Sequence, residues 1–167
     1  MPYHQKLTDR VPDSKLAKTA VVIVDHGSRR DESNALLKAV VAAYRDASDW
    51  PIVEPAHMEL AEPSIAQAFA KCVEQGAARI VVFPYFLSPG RHWNEDIPRI
   101  AAEAAEQCGG VEYLVTAPLG LHGLMMQIID QRIDQCLQQA TGGGEPCEIC
   151  QPGPGCELKS PPADDAC

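Results

Sequence analysis

Hydrophobic and polar positions along this chain fall into blocks whose period changes repeatedly. Ala20-Val21-Val22-Ile23-Val24-Asp25 and the run from Arg79 to Pro84 are short, apolar and β-branched, the pattern of strands buried on both faces. Ile52-Val53-Glu54-Pro55-Ala56-His57 predicts a weaker, short second strand, because Pro55 interrupts it, and Val111 to Thr116 predicts a fourth. Between the strands the period lengthens to that of amphipathic helices. Leu36, Leu37, Val40, Val41 and Tyr44 share one face over residues 32–45. Ile65, Ala68, Phe69, Cys72 and Val73 do so over 63–75, with Gly76 as the stop. Ile100, Ala101, Ala104, Ala105 and Cys108 follow Pro98, which sits in the first turn where proline is tolerated. A last helix presents Met125, Ile128, Ile129, Ile133 and Cys136 or Leu137.

The order βαβαβαβα predicts an α/β fold, a four-stranded parallel sheet flanked by helices in a flavodoxin- or Rossmann-like three-layer sandwich. Residues 1–19 are expected to be a flexible leader, residues 20–140 the domain, and residues 141–167 a Gly/Pro/Cys-rich tail without apolar period. In a parallel sheet the carboxyl ends of all strands lie on one edge, where ligands bind in open α/β folds. His26 follows the first strand, His57 ends the second, His92 follows the third and His122 follows the fourth. Four of the five histidines therefore map to one rim.

The formal charge of −9 argues against a nucleic-acid surface and means that an anionic ligand needs locally placed cations. Arg29, Arg30 and Arg91 are the cations near the rim, suited to bidentate docking of carboxylates. Glu59, Glu62, Glu95 and Asp96 lie on neighbouring loops, placed to complete a metal shell or to take protons. His92 is expected on the loop after Ser88-Pro89-Gly90, with Trp93 and Tyr85 there either as stacking surfaces or as an apolar lid. No run approaches a membrane span and the N-terminal residues lack the apolar core of a signal peptide, so the expected location is the cytoplasm.

Imidazole suits iron, cobalt, nickel, copper and zinc, and two histidines with open positions hold a divalent ion loosely enough to pass it on. Of seven cysteines, Cys147, Cys150, Cys156 and Cys167 cluster in the tail. Four thiolates at such spacing can hold a [4Fe–4S] cluster or Zn²⁺, or serve a redox or delivery role; an inert tail is the remaining reading.

With those residues placed, the chain resembles the small sirohydrochlorin chelatases, the short cobalt- or iron-inserting members of the class II chelatase family. The resemblance rests on Asp25-His26-Gly27-Ser28-Arg29, Met58-Glu59-Leu60-Ala61-Glu62-Pro63-Ser64, Phe83 through His92 into Asp96-Ile97-Pro98, and Pro118-Leu119-Gly120-Leu121-His122. It implies a lyase-type chelatase that inserts Co²⁺ or Fe²⁺ into sirohydrochlorin, for cobalamin or siroheme, and that pairs as a homodimer. It also implies that His26 and His92 are the metal-handling, catalytic pair, with Glu59, Glu62 and His122 as further rim candidates. Arg29, Arg30 and Arg91 then face an octacarboxylate macrocycle. The alternative is a metal-carrier or redox module worked by the tail, which would leave the histidine rim idle. A phosphoryl-transfer role for His26 is disfavoured because Asp25, which repels phosphate, precedes it.

Overall fold

The computed structural model describes residues 17–145, 147, 149 and 156–159. Most of the expected leader, and the tail residues Cys150 and Cys167, lie outside them. The described residues divide into two compact units between Gly120 and Leu121.

The first unit runs β1 (Thr19–Asp25), α1 (Asp31–Ala47), β2 (Ile52–His57), α2 (Ile65–Glu74), β3 (Arg79–Pro84), a π-helical turn (His92–Asp96), α3 (Ile97–Gln107) and β4 (Glu112–Val115). All strands are parallel, in the order β2-β1-β3-β4. The central strand β1 pairs Asp25 with His57 on one side and Val24 with Pro84 on the other. Its chain thus leaves the sheet level with the ends of both neighbours.

Strand alternation sorts the apolar residues into two layers. Ala20, Val22, Val24, Ile80 and Val82 face α2 and α3, packing on Ile65, Phe69, Ile97 and Ala101. Val21, Ile23 and Val53 face the other way, onto Leu37 and Val41 of α1. The continuous apolar run of β1 follows from this, since both its faces are covered, whereas β3 is buried on one face and half-buried on the other. Helix α2 starts where its sequence says it should: Ser64 and Gln67 form a reciprocal capping box, satisfying two N–H groups of the first turn.

The second strand corrects the expectation. It runs its full six residues through Pro55, which pairs with Ile23. β2 is an edge strand, and a missing N–H there removes no ladder bond when it faces outward. The fourth strand is shorter than expected, Glu112–Val115, and three of its four residues are exposed. His92 is not on a loop: helical backbone begins at Arg91, and His92 opens the π-helical turn.

In the second unit, α4 (Gly123–Ala140) is one continuous helix with no fully buried residue. No described helix is long and apolar enough to cross a membrane.

Phe69 is the largest side chain fully excluded from solvent and bears on the α2 layer of the core. Phe69→Ala should cost about 3–5 kcal/mol of unfolding free energy, read as a lowered urea midpoint. An unchanged midpoint would mean the layer is not close-packed there.

Candidate functional site

The site is built from how β1 ends. Asp25 Oδ1 accepts the Gly27 N–H at 2.9 Å and the His57 Nδ1–H at 2.6 Å. Pairing then continues past the strands, with Met58 N–H donating to Asp25 O at 2.8 Å and Glu59 N–H to His26 O at 3.1 Å. Gly27 turns in the left-handed region at φ +83°, and a Cβ there would lie 1.9 Å from the Glu59 carbonyl oxygen. Only glycine lets the two loops touch. The result places His26 Nε2 2.8 Å from Glu59 Oε1, while His26 Nδ1 lies 3.1 Å from the Gly27 carbonyl.

His92 arrives from the other side of β1. Tyr85 N–H donates to Val24 O, holding the chain against β1 as it leaves β3. The π-helical turn then places Asp96 four residues after His92, where its Oδ2 accepts Nδ1–H at 2.8 Å. That bond leaves Nε2 of His92 as the nitrogen with a free lone pair. Trp93 Nε1 donates to the Thr116 carbonyl at 2.8 Å, tying the turn to the chain after β4. The His26 and His92 rings meet edge to face with centroids 5.2 Å apart, and Phe86 lies 6.4 Å from the His92 ring. The hydrogen bond from His92, with Arg91 helping, holds Asp96 below the ordinary carboxylate range. A lowered folded value means the clamp is fully present above the ordinary range and is lost only as pH falls through the lowered one. It is intact at neutral pH.

Within the first unit His26, His92 and Glu59 are therefore brought together, with Asp96 bonded to His92. His57 is wholly buried beneath Asp25, with Nε2 lacking a hydrogen-bond partner among the described residues, so it leaves the expected rim. Its place is the scaffold. The Glu62 carboxylate accepts the Ser64 N–H at 3.1 Å. Arg91 pairs with Glu95 at 3.4 Å, whereas Arg29 and Arg30 are exposed and make no ion pair among the described residues. His122 lies in the second unit, where Nδ1 accepts the Leu124 N–H at the start of α4. Trp93 is held by its indole N–H and is partly buried. In the tail, Cys147 is buried and Cys156 partly so.

Asp96 carries more weight than its sequence neighbourhood suggests. The available signal was its four-residue spacing from His92, which becomes meaningful only once that stretch is helical. Among the described residues no three His, Cys, Asp or Glu side chains converge as a closed metal site requires. The 2.8 Å between His26 Nε2 and Glu59 Oε1 is a hydrogen-bond distance.

The fold and this pair of carboxylate-backed histidines define a parallel α/β protein whose candidate site lies at the carboxyl edge of its sheet. The chain belongs to the CbiX family, whose family model matches residues 20–136. It is 51% identical over 138 residues to the chloroplastic sirohydrochlorin ferrochelatase of Arabidopsis thaliana, covering 83% of this chain and 61% of that protein. It is 47% identical over 81 residues to a sirohydrochlorin cobaltochelatase of Methanocaldococcus jannaschii, covering 48% of this chain and 57% of the relative. Among solved structures, the sirohydrochlorin chelatase SirB of Bacillus subtilis subspecies spizizenii in complex with cobalt superposes with a TM-score of 0.67 at 30% identity. That match covers 70% of this chain and 50% of SirB. The chain thus spans about half to three fifths of the length of these relatives.

Gly27→Ala tests the loop junction directly. The left-handed backbone alone should cost about 1–2 kcal/mol, and the clash with the Glu59 carbonyl should add to it and separate His26 from Glu59. A lowered denaturation midpoint is expected. A variant as stable as the parent would show that the loops are not in contact at this point.

Proposed function

We propose that this chain is a sirohydrochlorin chelatase, exchanging the two pyrrole N–H protons of the macrocycle for one divalent ion, Co²⁺ or Fe²⁺. The observation that carries the reading is the facing pair His26–His92, each ring backed by its own carboxylate. Insertion needs a metal held loosely and a group that takes protons as they leave. His92, with Nδ1–H committed to Asp96, presents Nε2 as a ligand. His26 faces acceptors at both nitrogens, Gly27 O and Glu59 Oε1. With one proton on the ring, one of those contacts is left for a metal ion or a second proton. His26 and Glu59 are therefore the point where metal leaves and protons arrive, and the half-exposed Glu59 passes them to solvent.

Two further readings belong with this one. A homodimer is supported by α4, whose Ile129, Ile133 and Leu137 form an apolar stripe about half exposed along the helix. A metal or iron–sulfur role for the tail is supported by the two-residue spacing of Cys147 and Cys150, with Cys156 and Cys167 to complete it. Removing residues 141–167 should leave a folded, active chelatase and remove copurifying iron or zinc, followed by metal and acid-labile sulfide analysis. Equal metal content with and without the tail would discard the tail site.

The central test is anaerobic loss of the sirohydrochlorin spectrum on adding Co²⁺ or Fe²⁺. His26→Ala and His92→Ala should each lower turnover about a hundredfold or more, and Asp96→Asn about tenfold, with the fold intact by circular dichroism. Near wild-type turnover in either histidine variant would overturn the assignment.

A further inference from the structure

The loop that carries Glu59 is closed on itself. It leaves the end of β2 where Met58 N–H donates to Asp25 O at 2.8 Å, and it returns so that His57 N–H donates to Pro63 O at 2.7 Å. The reversal between these two ties is made at Leu60. Ala61 N–H donates back to Glu59 O at 2.8 Å, and Leu60 between them has φ +65°. A hydrogen bond spanning three residues about a positive central φ is the rare, strained form of the γ-turn.

Among the described residues Leu60 is the one non-glycine with a positive φ. A Cβ makes that region costly, which is why glycine takes it at Gly27, Gly76 and Gly109. Burial does not offset the cost, since the leucine is 53% exposed. Glycine would be the residue of least strain, so stability alone does not account for leucine at this position.

What the turn fixes is Glu59. Its N–H donates to His26 O at 3.1 Å, and its carbonyl accepts from Ala61 while lying against the Cα of Gly27. The carboxylate of the same residue meets His26 Nε2 at 2.8 Å. Were Leu60 to turn to an ordinary negative φ, the Ala61 bond would break and the peptide after Glu59 would swing off Gly27. Leucine has one narrow well at positive φ, whereas glycine ranges over both signs. The Cβ of Leu60 therefore limits the directions in which Glu59 is presented.

We infer that Leu60 is a positioning residue, whose strained turn holds the Glu59 carboxylate beside His26 at the expense of stability. The inference rests on the chelatase reading and names what fixes Glu59 within it.

Two substitutions in the full chain test it, because they separate backbone from side chain. Leu60→Gly removes the Cβ and with it the strain, whereas Leu60→Ala removes the rest of the side chain and keeps both. At an ordinary φ alanine is the more stabilising of the two; here glycine should give the higher urea midpoint. Turnover should run the other way: Leu60→Gly lowers kcat about tenfold, and Leu60→Ala rescues it. Backbone order at Glu59, read by NMR relaxation, should fall in Leu60→Gly alone. In a Glu59→Ala background, Leu60→Gly should cost no further turnover. A higher midpoint for Leu60→Ala, equal loss of turnover in both variants, or a further loss in the Glu59→Ala background would each overturn the inference. So would a Glu59 as well ordered in Leu60→Gly as in the parent. A parent that inserts no metal, but whose variants show the inverted stability order and the loosened Glu59, would overturn the chelatase reading and leave the placement of Glu59 by Leu60 standing.

Discussion

The Asp25 carboxylate is the interaction on which the site depends. It takes the Gly27 N–H in front and the buried His57 Nδ1–H below, joining the ends of β1 and β2. With Met58 bonded to Asp25 and Glu59 to His26, the pairing of the two chains outlasts the sheet by two residues. Side chains that extended strands would point elsewhere are thereby set side by side. His57 has no contact with solvent, yet without it Asp25 would lose the partner that fixes its orientation. A buried, charge-assisted hydrogen bond of this kind is worth about 1.5–3 kcal/mol. That is enough to favour one loop conformation strongly.

The second histidine is positioned by different means. β3 ends at Pro84, and the chain crosses the turn at Ser88-Pro89-Gly90 before a π-helical turn that leads directly into α3. Single π turns occur often at functional sites because their extra residue re-aims a side chain. Here His92 bonds to Asp96 within the turn, and Trp93 fastens the turn to Thr116. One histidine rides on a strand end and the other on a helix start, each steadied by its own carboxylate. The gap between them is thus set by two rigid elements packed on the same core, and neither ring relies on a free loop.

Strand positions were legible because short apolar, β-branched runs mark strands, although only β1 is buried on both faces and β3 is half-buried on one. Topology sent four histidines to one edge, since parallel order places all strand ends there, and the family resemblance singled out His26 and His92 among them. Pro55 misled because proline weakens a strand signal without revealing that the strand lies at an edge. His57 misled because residue spacing locates a backbone position and not the face on which its side chain is buried. Asp96 was legible as a nearby carboxylate, but its bond to His92 was not, since the histidine was expected on a loop and the four-residue spacing pairs them only in helical backbone.

Charge placement completes the physical picture. Scaffold cations are consumed in pairs: Lys71 on the buried Glu54, Arg79 across to Glu112, Arg99 along α3 to Glu103. Around the histidines the carboxylates of Glu59 and Asp96 dominate, which favours an approaching divalent cation. Among the described residues Arg29, Arg30 and Lys38 on the α1 side form no ion pair, and Asp31 and Glu62 beside them form none either.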